Sequence, residues 1–110
     1  MLFNRKLLAA AITLLLLSAC SSGGGNSITG EEVPASPIVV VKIDDTNEAH
    51  PQVGIDKANL VYIEQVEGGL VRLAALFSSN LPDYIGPVRS ARISDIDLLA
   101  QFGKVAFFYS

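Results

Sequence analysis

The chain of 110 residues holds one cysteine and one histidine, and each scarcity excludes a class of chemistry. A secreted domain stapled by disulfides needs cysteines in pairs, so a lone Cys20 rules out an internal disulfide framework. A histidine-based catalytic triad would have to be built on His50 alone, and a loop histidine before a proline reads as an exposed polar group. Without a second histidine or an Asp-x-Asp loop, no metal site and no cofactor are expected. A basic excess is also lacking. Eight Lys and Arg stand against eleven Asp and Glu, which argues against nucleic acid as a partner. Gly23-Gly24-Gly25 and Gly68-Gly69 have neither the spacing nor the following lysine of a phosphate loop, and no internal repeat is present. The one long apolar run, Leu7 to Leu17 relieved only by Thr13, falls short of the roughly 20 residues that cross a bilayer.

What that run does have is the layout of a secretory signal. Arg5 and Lys6 precede it, and small residues follow it up to Cys20. The order Leu17-Ser18-Ala19-Cys20 resembles the lipobox of bacterial lipoproteins. Cleavage is therefore expected between Ala19 and Cys20, with lipid carried on the Cys20 thiol. One acyl chain holds a protein marginally, whereas two or three, at about 0.8 kcal/mol per buried methylene, hold it firmly. The expectation is a signal-peptide helix over residues 1–19 and a protein anchored to membrane lipid outside the cytoplasm. Loss of Arg5 and Lys6 leaves six basic against eleven acidic side chains, a net charge of about −5 by simple counting.

Residues 20–36 form the lipidated cysteine and a Gly/Ser-rich stretch ending in Pro34-Ala35-Ser36, which reads as a disordered tether. The folded part is expected over 37–110, as a mixed α/β fold: a small β-sheet with a helix packed on it. Ile38 to Asp44 is short, β-branched and nearly all apolar, as a central strand covered on both faces would be. Asp45 to Asp56 is an irregular loop with one helical turn before Asn59. Asn59–Val66 and Leu70–Phe77 read as strands of a hairpin turning at Gly68-Gly69, which places Gln65 opposite Arg72 and Glu67 diagonally from it. Ile93, Ile96, Leu99 and Ala100 recur at helical spacing, so a helix is expected near 94–102. Ser94 and Asp97 cap it, and Gly103 ends it. Val105–Tyr109 reads as a fourth strand. About 74 residues make a marginal core without disulfide or metal, and an apolar strand at the last residues lacks a covering partner. The expectation from the sequence is a domain that continues beyond Ser110.

Four blocks resemble the YerB-like bacterial lipoproteins, a family whose N-terminal domain has no assigned function. They are Val41-Lys42-Ile43-Asp44; Pro51-Gln52-Val53-Gly54 followed by Lys57-Ala58-Asn59-Leu60-Val61-Tyr62; Val66-Glu67-Gly68-Gly69 with Arg72; and Gly86-Pro87-Val88-Arg89-Ser90-Ala91-Arg92. The last is the most specific. Where the family pattern has Asn after the first strand's aspartate and Arg before Pro-Gln, this chain has Asp45 and His50, so no family role passes to those two. The resemblance implies a domain longer than the matched residues and supplies no reaction.

Two constellations could carry chemistry. Arg89, Ser90 and Arg92 precede the expected helix, where guanidinium groups and free backbone N–H groups suit a phosphate, carboxylate or sulfate. Pairing of those arginines with Glu64, Glu67, Asp95 or Asp97 is the structural alternative. Asp44, Asp45, Glu64 and Glu67 would gather as an acid/base group if the first two strands were neighbours, or Glu67 would pair with Arg72. The function these readings favour is an envelope binding or maintenance module whose partner is an anionic envelope component or a protein. The alternative is an envelope enzyme, a glycan or phosphate-ester hydrolase or transferase, using Glu64 or Glu67 with the arginines.

Overall fold

The computed structural model describes residues 28–30 and 36–110; the expected signal peptide, Cys20 and most of the tether lie outside the described residues. Strand β1 (Ile38–Asp44) is the β-branched run, and it does lie in the sheet interior. Two single 3-10 turns follow, Asn47–Ala49 and Ile55–Lys57, where one turn was expected. Then come β2 (Leu60–Gln65), β3 (Val71–Phe77), helix α1 (Ser94–Ala100) and β4 (Val105–Phe108). The sheet order is β2-β3-β1-β4. β3 is antiparallel to both β2 and β1, and β4 is parallel to β1. This is the small mixed α/β sheet expected.

Alternation along the strands divides the core in two. On one face Ile38, Val40, Ala74 and Leu76 pack with Leu99 of α1, with Tyr62, Phe102 and Phe107 around them. On the other, Val41, Ile43, Leu73, Ala75 and Phe77 are covered by Ile55, Ala58, Ile85 and Val88. The long polar-looking loops are therefore the second cover of the sheet. They are tied to each other where Val53 and Gly86 exchange both backbone hydrogen bonds, at 2.9 and 3.1 Å. Gly54 beside that tie has φ +81°, and a Cβ there would sit 2.1 Å from the Tyr84 carbonyl oxygen. Only glycine fits a backbone crossing that close.

Two local expectations are corrected. The hairpin turns at Gly68 and Gly69, both with φ near +70°, but the register is shifted by one. The Val66 N–H donates to the Leu70 carbonyl (2.8 Å) and the Leu70 N–H to the Glu67 carbonyl (3.4 Å), so Val66 and Glu67 both oppose Leu70. This extra residue puts Glu64, not Gln65, opposite Arg72. The helix is shorter than expected and turned: it buries Asp95 and Leu99, while Ile93 and Ile96 are 87% and 67% exposed. Its first turn is closed by the Asp95 carboxylate, which accepts the Arg92 N–H (2.6 Å), rather than by Ser94 and Asp97. Gly103, at φ +71°, follows the helix end as expected.

Candidate functional site

Strand β1 carries Val40, Lys42 and Asp44 on the helix face, and Lys42 is fully buried. Lys42 stands opposite Ala74 on β3, whose side chain stops at Cβ, so the lysine stem can pass over β3 to the far strand. There its Nζ lies against Glu64 Oε2. It also donates to Asp95 Oδ1 of α1 at 2.6 Å. The remaining carboxylate oxygens are used as well, since Ser94 Oγ donates to Glu64 Oε1 (3.0 Å) and the Arg92 N–H to Asp95 Oδ2. A buried ammonium is tolerable only with such compensation. Sheet, helix and the start of the helix are thus joined through one cation.

The Gly86–Arg92 loop is pinned to the same corner. β4 pairs with residues 38–41 of β1, and beyond it the loop takes over that edge: Asp44 N–H donates to Pro87 O and Arg89 N–H to Lys42 O, each at 2.9 Å. From below, the buried Arg72 donates Nη1 to the Ser90 carbonyl at 2.7 Å. Arg89 Nε lies 3.3 Å from Asp44 Oδ2, and its side chain stays 44% exposed. Arg92 donates Nε to Glu67 Oε2 (3.0 Å) and Nη1 to Ala91 O (2.9 Å). Of the pairings named from sequence, Arg92 with Glu67 is present. Glu67 does not pair with Arg72.

The acidic group does not assemble, for a topological reason. β3 lies between β1 and β2, so Asp44 and Glu64 flank Arg72 from opposite sides instead of meeting. Asp45 turns away to His50 Nε2 (3.1 Å) and Gln52 Nε2 (2.9 Å). Partial burial pushes the Asp44 carboxyl up, but hydrogen bonds from Thr46 and the Arg89 charge outweigh it and leave it below its ordinary value. Glu67 is also held low, by its own backbone N–H and by Arg92. Both are ionised at neutral pH and serve as counter-charges. Among the described residues no three His, Cys, Asp or Glu converge as metal ligands.

Sequence reasoning gave Lys42 no role and named Asp95 only as an arginine partner, yet the two form the centre of the cluster. A signal existed: a lysine inside Val39-Val40-Val41-Lys42-Ile43 demands a buried carboxylate. A second feature adjoins the cluster, an apolar groove of about 320 Å³ between α1 and β4.

Comparison with known proteins agrees with this fold. The family described as "Protein of unknown function (DUF3048) N-terminal domain" matches residues 24–110, and the chain belongs to it. The Bacillus subtilis (strain 168) protein described as "Putative lipoprotein YerB" is 39% identical over 67 residues, covering 61% of this chain and 20% of that protein. The crystal structure of YerB from Bacillus subtilis superposes with a TM-score of 0.59 at 24% identity, covering 77% of this chain and 37% of that one. The chain thus spans about a fifth of the length of the curated relative it matches.

Proposed function

We propose that the chain is a lipid-anchored module of the bacterial envelope that binds an anionic ligand at the Gly86–Arg92 loop, with Arg89 as the contacting residue. The anchor reading rests on Leu17-Ser18-Ala19-Cys20 and on the description of the related protein as a lipoprotein. The observation that carries the binding reading is Arg89 itself: an exposed guanidinium, partly neutralised by Asp44, on a backbone bonded to β1 and braced by Arg72. A fixed fork loses little entropy when it takes a phosphate or carboxylate. Arg92, already engaged by Glu67, contributes charge at the rim. The envelope-enzyme alternative is weaker because both Glu64 oxygens are occupied, by Lys42 and Ser94.

The test is calorimetric titration with inorganic phosphate and with phosphate- and carboxylate-bearing cell-wall fragments. Saturable binding weakened about tenfold in Arg89→Ala, with the melting temperature nearly unchanged, is the expected result, in line with one charge-assisted hydrogen bond. Absence of binding, or binding indifferent to Arg89→Ala and Arg92→Ala while both lower the melting temperature, overturns it. Turnover of the same fragments that disappears in Glu67→Gln would establish the enzyme instead.

A further inference from the structure

Strand β4 is an edge strand with an apolar groove on each of its two faces. On the helix side the groove is lined by Ile96, Leu99, Val105, Phe107 and Tyr109, with Arg92 at its lip. On the other side a second groove, of about 260 Å³, is lined by Val39, Phe77, Leu81, Ile85 and Phe108. Phe107 and Phe108 point to opposite faces, as successive strand residues must. Exposed apolar side chains mark the same border: Ile96 on the helix and Phe108, 56% exposed, on the strand. One covering element on either face would fill one groove only. An added strand fills both, because its own side chains alternate between the two faces while its backbone takes up the edge of β4 that no strand among the described residues occupies.

We infer that the β4 edge seats an extended strand from the polypeptide that follows the N-terminal domain in YerB-like proteins. The family description calls the matched region an N-terminal domain, and the aligned part makes up 37% of the solved YerB chain, so relatives carry further polypeptide to supply it. The incoming strand places apolar residues at successive positions, one in the groove beside Phe107 and the next in the groove beside Phe108. The Arg89 side chain lines neither groove, so failure of this inference leaves the binding reading standing.

The experiment compares two proteins by amide hydrogen exchange: the chain alone, and the chain fused after Ser110 to the part of Bacillus subtilis YerB that follows its matched region. In the fusion, exchange in the Val105–Phe108 segment is expected to slow at least tenfold, and the protein to stay monomeric. Phe108→Asp returns the segment to the rate of the chain alone. Because Phe108 is already exposed, this change should leave β1–β3 protection intact. Ile63→Asp, at a 75% exposed position on the opposite edge strand, leaves the slowing unaffected. Unchanged β4 exchange in the fusion overturns the inference. So does a chain that dimerises by itself with β4 protected, since the occupant would then be a second copy.

Discussion

Replacing Lys42 with methionine tests the central cluster. The substitution keeps most of the side-chain volume and removes the ammonium, leaving Asp95 buried and Glu64 half-buried against a vanished cation. Removing one partner of a buried ion pair costs about 3–5 kcal/mol, most of it the stranded charge. Domains are stable by roughly 0.05–0.15 kcal/mol per residue, about 4–11 kcal/mol for a body of this size, so the loss is a large fraction of the whole. Helix α1 depends on the cluster most directly, because seven residues do not hold a helix alone. Urea unfolding should show the midpoint falling by roughly 2–5 M if the slope is near 1–1.5 kcal/mol/M. The neutral triple variant Lys42→Met, Glu64→Gln, Asp95→Asn should recover most of that loss, since no charge is then stranded. A single variant within about 1 kcal/mol of the parent, or a triple no better than the single, refutes the assignment of Lys42 as the joint between sheet and helix.

Two further outcomes follow from local geometry. Gly54→Ala combines a left-handed φ with a Cβ driven into the Tyr84 carbonyl, and thermal unfolding should show a loss of about 2 kcal/mol or more; a change under about 0.5 kcal/mol would mean the loops do not cross as described. Asp44 titrates below its ordinary 3.8 when folded, so the unfolded chain takes up the proton first as pH falls. Its contribution is complete above that ordinary value and is lost as pH drops through the lower folded value. Stability measured from about pH 5 to pH 2 should therefore decline more steeply in the parent than in Asp44→Asn, and parallel curves would mean that the Thr46 hydrogen bonds and the Arg89 charge together do not hold Asp44 low.

The strands were legible because their signals are local: β-branched runs, alternation and two glycines at a turn. The register was not, since the extra residue at Val66 and Glu67 carries no compositional mark and one residue of slip moves every side chain to the other face. That slip brings Glu64 within reach of Lys42. The helix face was misjudged for a related reason. Hydrophobic periodicity favours Ile93 and Ile96, but the carboxylate of Asp95 must point inward to meet Lys42, and Leu99 one turn later goes with it. Charge set the rotation of this helix. Which carboxylate met which arginine depended on β3 lying between β1 and β2, a fact of topology that spacing along the chain does not contain.

Strand β1 links the two surfaces proposed for binding. One edge of it is divided end to end, residues 38–41 pairing with β4 and residues 42–44 bonding to the Arg89 loop. Just past β4, Ser110 N–H donates to the Arg89 carbonyl at 3.2 Å, so Arg89 is held from β1 on its N–H side and from the β4 end on its carbonyl side. A strand seated on β4 would order that end and, through this bond, the backbone beneath the exposed guanidinium. Ordering before binding reduces the entropy that a ligand must overcome. Arg89 should thus meet its anion more tightly in the fusion with the YerB segment than in the chain alone, and Phe108→Asp should cancel the gain without touching the loop. Equal affinity in the two proteins, with β4 protected only in the fusion, would show that the shared edge of β1 does not couple the two surfaces.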